Sequence, residues 1–245
     1  QFNYPYSVAM SPAGTYAPDY GSEYVSACEK SLKICLLVPS YRTDTGAYDS
    51  GGHNRLAGAI SAIKEINDKS DGFWDDVLPD TTIVYEWYNS GRSAATSMQM
   101  AIECVTNAFG GTKADVVLGP ASSGPSMNAQ LILKTYDVPQ LSYSATSPTL
   151  SDTIEYESFF RTPPSDAFQG LASADVMKNV FGWDSVLVIN GADSYSAGGA
   201  EAFIDAAATY GITTYAMPVV NEQPTWEDLT SSVNGIASSN TRIVF

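Results

Sequence analysis

The sequence predicts an α/β fold in which parallel strands are covered by helices on both faces. Short apolar runs alternate with longer segments whose apolar residues recur at helical spacing. The connections between these segments are short, and the alternation begins again after Ser165. This pattern is typical of a mostly parallel sheet built from strand–helix–strand units, and the restart predicts a second sheet.

The first half of the chain contains four predicted strands. Residues 32–38 form a continuous apolar run that ends at Pro39, as expected for a strand buried on both faces. Further strands are predicted at residues 82–88, 114–118 and 139–142. Three helices are predicted between them, marked by Leu56, Ile60, Ile63 and Ile66, by Met98, Ile102, Val105 and Phe109, and by residues 127–136.

The second half repeats the alternation with strands at residues 186–189, 213–217 and 242–245. Thr225 and Asp228 resemble a capping box that opens the last helix. The three helical faces of this half are marked by Phe168, Ala172, Val176 and Val180, by Phe203, Ala206 and Tyr210, and by Trp226, Leu229, Val233 and Ile236.

The composition favours an acidic globular protein. At 245 residues and 44% hydrophobic content the chain has ample material for a core. Its formal charge is −15, with 12 Lys+Arg against 27 Asp+Glu, which argues against a nucleic-acid groove and against binding to an anionic membrane surface. Residues 1–30 are rich in Tyr, Pro, Ser and Gly without apolar periodicity, and are predicted to be an extension.

The three cysteines leave at least one thiol without a partner inside the chain. Cys35 lies in an apolar strand and is predicted to be buried. A bridge between Cys28 and Cys104 is one alternative, and the sequence leaves the pairing open.

Signals for an enzyme are weak. Residues 119–124 do not form a nucleophile elbow, because Ala121 occupies the central position. His53 is the single histidine, and nothing aligns it with a serine. The acidic residues 71–76 lack the spacing of an EF-hand, and no zinc or phosphate-loop motif occurs. We therefore predict no catalytic residue, no cofactor and no metal ligand.

Small hydroxyl residues follow several predicted strands. Residues 116–118 lead into Ser122 and Ser123, and residues 139–142 lead into Ser144 and Thr146. The carboxyl ends of parallel strands meet at one edge of a sheet, where ligands bind. Serines at the start of a helix also lie beside free backbone N–H groups that suit a carboxylate.

These strings resemble the ligand-binding region of the class C receptors, which include metabotropic glutamate, calcium-sensing and GABA type B receptors. The resemblance rests on residues 119–123, 139–148, 159–166 and 181–186 together with Tyr195. It implies a bilobed fold of the type I periplasmic-binding-protein class, with parallel sheets flanked by helices. The implied boundaries are an extension at 1–30, a first lobe at 31–165 and the first part of a second lobe at 166–245. In that family the domain would continue beyond Phe245, so that the fold here would be incomplete at its C-terminus.

The resemblance also implies a ligand site. Ser123 would contact a ligand carboxylate, while Thr146 and the main-chain carbonyl of Ser144 would hold the α-amino acid group. Asp166 would face the ammonium, and the ring of Tyr195 would cover the ligand from the second lobe. The alternatives are structural: a helix cap for Ser123, a first-turn helix acid for Asp166 and a packed loop aromatic for Tyr195.

One position departs from the family pattern. The glutamate-binding members carry an arginine for the distal carboxylate, and that position falls on or near Tyr48, with Arg42 close but off the pattern. A second buried carboxylate would lack a partner there. We therefore expect Tyr48 to lie in the site and neutral amino acids or GABA-like ligands to bind better than glutamate.

The expected function is that of an extracellular domain that binds an amino acid or GABA-like ligand and closes its lobes. The family also implies a dimer through the first lobe and membrane attachment only through sequence not present here. The first alternative is a structural or assembly protein that keeps the fold without a ligand. The second is an enzyme, for which the sequence offers no reactive residue with a partner.

Overall fold

The computed structural model describes residues 30–216, 225–238 and 243–245. Within them, the first sheet is parallel and has five strands in the order β2-β1-β3-β4-β5. Its strands are β1 Lys30–Val38, β2 Thr81–Asn89, β3 Val116–Leu118, β4 Gln140–Ser142 and β5 Phe159–Arg161. Its helices are α1 Ser50–Asn67, α2 Ala94–Thr106, the short turn α3 Ala108–Gly111 and α4 Ser123–Leu133, with 3-10 turns at Lys134–Tyr136 and Pro148–Ser151.

The second sheet contains two parallel strands, and Val244 forms a further parallel bridge with Leu187. Its elements are α5 Asp166–Asp175, a π turn Val176–Val180, β6 Ser185–Val188, α6 Ser194–Thr209, β7 Thr213–Ala216 and α7 Trp226–Ser238. The α/β class and the separation into two parallel sheets are confirmed. Residues 217 and 242 of the predicted strands lie outside the described residues, and the lobe boundaries stay predictions.

Helices cover both faces of the first sheet, as its uninterrupted apolar strands predicted. Cys35 and Leu37 of β1 pack towards α2 and α4, whereas Leu36 and Val38 pack on the opposite face against α1. The predicted apolar face of α1 is confirmed by this packing: Leu56 and Ile63 are buried, and Ile60 and Ile66 are partly buried against the same cluster.

A disulfide between Cys35 and Cys104 joins β1 to α2, with 5.9 Å between the two Cα atoms. Both cysteines are fully buried. The suggested bridge from Cys28 to Cys104 is therefore wrong, because Cys104 is already bonded. Cys28 itself lies outside the described residues.

Three predicted helices are present, but part of each predicted apolar face is exposed. On α2, Val105 of the predicted face is buried, but Ile102 is 40% exposed, and Ala101 and Cys104 also occupy the core. On α5, Phe168 is 67% exposed, whereas Gly170 and Ala174 face inwards. In both cases the inner face consists of small residues, which allow close helix packing but carry little periodic signal.

The third such helix, α7, begins with the predicted capping box. Thr225 Oγ1 accepts a hydrogen bond from the backbone N–H of Asp228 at 3.2 Å, and Asp228 Oδ2 accepts one from the backbone N–H of Thr225 at 2.8 Å. Its predicted apolar face is largely exposed at Trp226 and Val233. The cap thus fixes where α7 begins, and the apolar spacing does not decide which side is buried.

Candidate functional site

Ser142, the last residue of β4, joins the two loops that leave the carboxyl edge of the first sheet. Its hydroxyl donates to the carbonyl of Pro120 at 2.7 Å. The same oxygen accepts hydrogen bonds from the backbone N–H groups of Ser144 at 3.3 Å and Ala145 at 3.0 Å. The loops after β3 and β4 therefore lie side by side, as parallel neighbours require.

Ser123 is the first residue of α4 and is 1% exposed. Its Oγ accepts a hydrogen bond from the backbone N–H of Ser147 at 3.2 Å. The N-cap position belongs to Ser122, whose side chain makes no capping hydrogen bond. The Ser123 hydroxyl thus faces the loop after β4, and its O–H remains a donor for another acceptor.

Thr146 and Asp166 are bonded to each other in both directions. Thr146 Oγ1 donates to Asp166 Oδ2 at 2.8 Å, and the backbone N–H of Asp166 donates to the carbonyl of Thr146 at 2.9 Å. The cap of α5 is Ser165, whose Oγ accepts from the N–H of Ala167 at 3.3 Å. The Asp166 carboxylate, 8% exposed, is therefore directed at Thr146 rather than used as a cap.

Arg161, at the end of β5, supports the same loop. Its Nη1 donates to the carbonyl of Ser147 at 2.8 Å, and its Nη2 donates to Ser151 Oγ. Burial lowers the pKa of the Arg161 guanidinium, and the negative charge of Asp166 opposes that shift. Arg161 thus fixes this loop through Ser147 and Ser151 and interacts electrostatically with Asp166.

Tyr195 lies in the first turn of α6 and is 51% exposed. Asp193 caps this helix, because its Oδ1 accepts hydrogen bonds from the N–H groups of Tyr195 at 2.9 Å and Ser196 at 3.1 Å. Tyr195 and Asp166 line one cavity of about 230 Å³ between α5, α6 and the end of β6. Ser123, Ser144 and Thr146 are not among the residues that line it, so that a single cleft for all five stays a prediction.

Tyr48 lies apart from these residues in the contacts that the described part of the chain provides. Its ring is 60% exposed and stacks on His53 with 4.2 Å between the ring centroids. Tyr41 meets both rings edge-on, at 5.8 Å from Tyr48 and 5.5 Å from His53. The predicted place of Tyr48 in the ligand site therefore has no direct contact to support it.

Two arginines near Tyr48 were not predicted from the sequence. Arg92 is paired with the Asp49 carboxylate, and the Arg55 guanidinium carbon lies 5.9 Å from the ring centroid of Tyr143. Burial raises the pKa of the Tyr143 phenol, and the charges of Arg55 and Arg92 oppose the shift. Both cations therefore lie at the same edge as Ser144. Arg92 lies in the loop after β2, which pairs with β1. Its position just after a predicted strand was the feature of the sequence that could have identified it.

Ser147 is the other residue that sequence reasoning missed. It is fully buried and bonded to Ser123, as described above. It belongs to the same hydroxyl-rich string as Ser144 and Thr146, so that the signal was present. The sequence does not show the hydrogen-bond partners that distinguish one serine of the string from another.

Across residues 30–216, 225–238 and 243–245, no group of three or more His, Cys, Asp or Glu side chains could hold a metal ion. In the same residues, no helix has the length and apolar character needed to cross a bilayer.

A parallel α/β fold with hydroxyl-lined loops at the carboxyl edge is typical of proteins that bind small molecules at that edge. The chain belongs to the receptor family ligand-binding region family, whose sequence profile matches residues 55–245. Together with the receptors described next, this match confirms the class C receptor resemblance and the type of fold that it implied.

The similar proteins are receptors. The chain is 26% identical to the extracellular calcium-sensing receptor of Mus musculus over 211 residues, which cover 80% of this chain and 19% of that receptor. It is 35% identical to metabotropic glutamate receptor 4 of Rattus norvegicus over 103 residues, which cover 42% of this chain and 11% of that receptor. The match to metabotropic glutamate receptor 4 of Macaca fascicularis is 38% over 88 residues, or 36% of this chain and 10% of the receptor. The chain thus spans a small part of the relatives that it matches.

Proposed function

We propose that this chain is an extracellular ligand-binding domain of class C receptor type that binds a small amino acid or a GABA-like compound. The observation that carries the proposal is the direct bonding of Thr146 to Asp166 beside the buried Ser123. Because the chain belongs to the receptor ligand-binding family, we assign the ligand site to this edge of the sheet. No chemical step is required of any residue.

The arrangement offers a donor and an acceptor for the two ends of a zwitterionic head group. Ser123 Oγ already accepts a hydrogen bond from Ser147, and its own proton is directed to a ligand carboxylate. Thr146 Oγ1 donates a hydrogen bond to Asp166. The lone pairs of Thr146 Oγ1 and the carboxylate of Asp166 then accept hydrogen bonds from a ligand ammonium. Each charge-assisted bond contributes about 1.5–3 kcal/mol.

The proposed lobes are residues 31–165 and 166–245, with residues 1–30 as an extension. Thr146 belongs to the first lobe and Asp166 begins the second, so that a ligand ammonium bound by this hydrogen-bonded pair contacts both lobes. Ser144 adds a main-chain acceptor, and Tyr195 approaches from the second lobe. Closure is a shift in the populations of the open and closed states. The free energy of that shift is limited by the difference in ligand affinity between the two states.

The buried disulfide between Cys35 and Cys104 supports an extracellular location, because such bonds persist in oxidising compartments. A dimer through the first lobe belongs to the same proposal. Signalling across a membrane would then depend on sequence outside this chain.

The test is calorimetry of the chain against L-alanine, L-serine, 4-aminobutyrate and L-glutamate. We expect neutral amino acids or 4-aminobutyrate to bind best, and Thr146→Ala to weaken every binding ligand about tenfold. Thr106→Ala is the matched control, because the Thr106 hydroxyl bonds only to the carbonyl of Ile102 in its own helix. Tyr48→Ala should change the preference among ligands rather than abolish binding.

Glutamate as the tightest ligand, with Tyr48→Ala without effect, would contradict the ligand class. In that case Arg55→Ala should weaken glutamate selectively, because Arg55 is a cation at the same edge. Absence of binding by every compound would favour the assembly alternative. The exposed apolar side chains of Phe168 and Val180 would then be the surface to examine.

A further inference from the structure

Ser147 connects three separate elements of the molecule. It is fully buried, and each of its polar atoms has a different partner. Its N–H donates to Ser123 Oγ at 3.2 Å, and its carbonyl accepts from Arg161 Nη1 at 2.8 Å. Its hydroxyl donates to the carbonyl of Ser194 at 3.4 Å, and Ser194 begins α6 beside the second sheet. One residue of the first-sheet loop is thus bonded to the edge of its own sheet and to the helix that covers the other sheet.

The contact between the two sides is close because it is made by residues with little or no side chain. A Cβ at Gly198 would lie 2.7 Å from Ser147 Oγ, which no relaxed structure tolerates. A Cβ at Gly124 of α4 would lie 4.0 Å from the Cβ of Ser194. Gly198 lies within regular α-helix, and its need for glycine arises from this approach rather than from its backbone angles. We call the contact of Ser147 and Gly124 with Ser194 and Gly198 the seam.

We infer that Ser147 is a positioning residue that couples the ligand-facing hydroxyl of Ser123 to closure of the two lobes, and that Gly198 sets their distance of closest approach. The N–H of Ser147 occupies a lone pair of Ser123 Oγ, which leaves the Ser123 proton for a ligand anion. The same loop conformation presents the Ser147 hydroxyl to Ser194. Ligand binding at Ser123 and formation of the seam therefore stabilise one arrangement of the loop. The ligand part of this inference rests on the proposed function, whereas the seam does not.

The first test needs no ligand. The double variant Gly124→Cys with Ser194→Cys, made with Cys28→Ser to remove a third thiol, places two Cβ atoms about 4 Å apart, within the range of disulfides. Under mild oxidation we expect an intramolecular disulfide, detected by mass spectrometry of peptides. The control pair is Gly58→Cys with Ser194→Cys, since Gly58 lies on α1, across the first sheet from α4. A rate of cross-linking no faster than that of the control pair would overturn the seam.

The second test adds a methyl group on one side of the seam and removes a hydroxyl group from the other. Gly198→Ala forces the Ser147 hydroxyl away from Ser194 or holds the lobes apart, and should slow cross-linking of the cysteine pair about tenfold. Adding Ser147→Ala removes the clashing oxygen, and the next atoms lie 3.4 and 3.8 Å from the new Cβ. The double variant should therefore recover most of the rate. Gly58→Ala, which meets open space on another helix, controls for the change in helix propensity.

A purely structural role for Gly198 predicts a lower melting temperature without rescue by Ser147→Ala, and that result would refute the coupling. Binding of L-alanine and 4-aminobutyrate to the same variants separates the two proposals. If cross-linking and rescue occur but neither compound binds, the seam stands and the proposed ligand class fails. If a compound binds wild type and Gly198→Ala equally, the seam has no influence on the site and the inference is wrong.

Discussion

The helix contacts at the two sheets differ in the residues found at their closest approach. The first sheet meets its helices through large residues such as Leu36, Leu37 and Leu133. Beside the second sheet, α5 and α6 meet at Gly170, where a Cβ would lie 2.9 Å from the carbonyl oxygen of Ala202. Alanines and the buried ring of Phe203 surround this crossing, and Phe168 and Val180 of the same segment point to solvent.

The difference shows two ways of fixing a helix. On the first sheet, apolar area removed from water holds α1 and α4, and each of their large buried side chains contributes about 1.5–3 kcal/mol. At the α5–α6 crossing, the close approach of two backbones fixes it, and the contribution comes from many small contacts. The packing on the first sheet holds the elements that carry Ser123 and Thr146 in place. The second leaves α6 free of bulky side chains where it touches the first-sheet loops.

The largest expected effect is loss of the disulfide that ties the first sheet to α2. Cys35 and Cys104 are separated by 69 residues, so that Cys35→Ala with Cys104→Ala should lower the free energy of unfolding by about 4 kcal/mol. Hydrogen exchange should show the loss in β1 and β3 before β6. Reduction of the wild-type chain separates the cross-link from the volume of the alanines. Equal loss of protection in both sheets would argue against two separately packed units.

The next effect tests close approach within the first sheet. A Cβ at Gly52 would overlap the backbone carbonyl of Pro39, where the start of α1 packs on the end of β1. Gly52→Ala should therefore destabilise by about 3 kcal/mol in urea unfolding. Gly58→Ala, on the same helix but facing open space, should stabilise by about 0.5–1 kcal/mol. Similar values for the two variants would mean that α1 is not held where the structure has it.

A glycine-to-alanine replacement beside the second sheet should lower the free energy of unfolding by less. Gly170→Ala faces the backbone of Ala202, and α5 can shift slightly because its outer face carries exposed residues. We expect a loss of about 1–2 kcal/mol. Gly199→Ala on α6 is the control, since its Cβ meets no atom within 4 Å. A loss as large as that of Gly52→Ala would show that the two sheets are equally rigid.

The comparison also explains how far the sequence could predict the fold. The face of α1 was predicted correctly because Leu56 and Ile63 are large and buried. The faces of α2 and α5 were wrong at Ile102 and Phe168, because the buried positions hold alanine, glycine and cysteine. Hydrophobic periodicity detects large residues, so that it identifies a helix yet misplaces its inner side when the packing is made by small ones.

For the candidate site, the sequence named residues whose role in ligand binding stays a prediction. The hydroxyl-rich strings after β3 and β4 led to Ser123, Ser144 and Thr146 without knowledge of the structure. The roles of Ser147 and Arg161 depend on hydrogen bonds across 24 and 14 residues, which no local pattern encodes. Arg55 was missed for the same reason, since its place near Tyr143 follows from the packing of α1 on the sheet.

The smallest expected effect compares two helix caps at the two sheets. Burial raises the pKa of Asp49, but the hydrogen bonds from Arg92 and the N–H of Gly52 outweigh it, and the pKa lies below its ordinary value. Burial likewise raises the pKa of Asp193, and the bonds from Ser196 and Tyr195 outweigh it. Because both folded-state pKa values are lowered, each carboxylate stabilises the protein above the unfolded value of about 3.9. That stabilisation is lost as the pH falls through the folded value.

Asp49→Asn and Asp193→Asn should each keep a helix cap while removing the charge. We expect each variant to lose about 1 kcal/mol or less near neutral pH and to show a shallower loss of stability on acidification than wild type. Only Asp49 has a cationic partner, so that added salt should reduce its contribution and leave that of Asp193 nearly unchanged. Urea unfolding at several pH values and two salt concentrations measures both effects. An equal salt response at the two positions would show that the ion pair with Arg92 contributes nothing to the cap of α1.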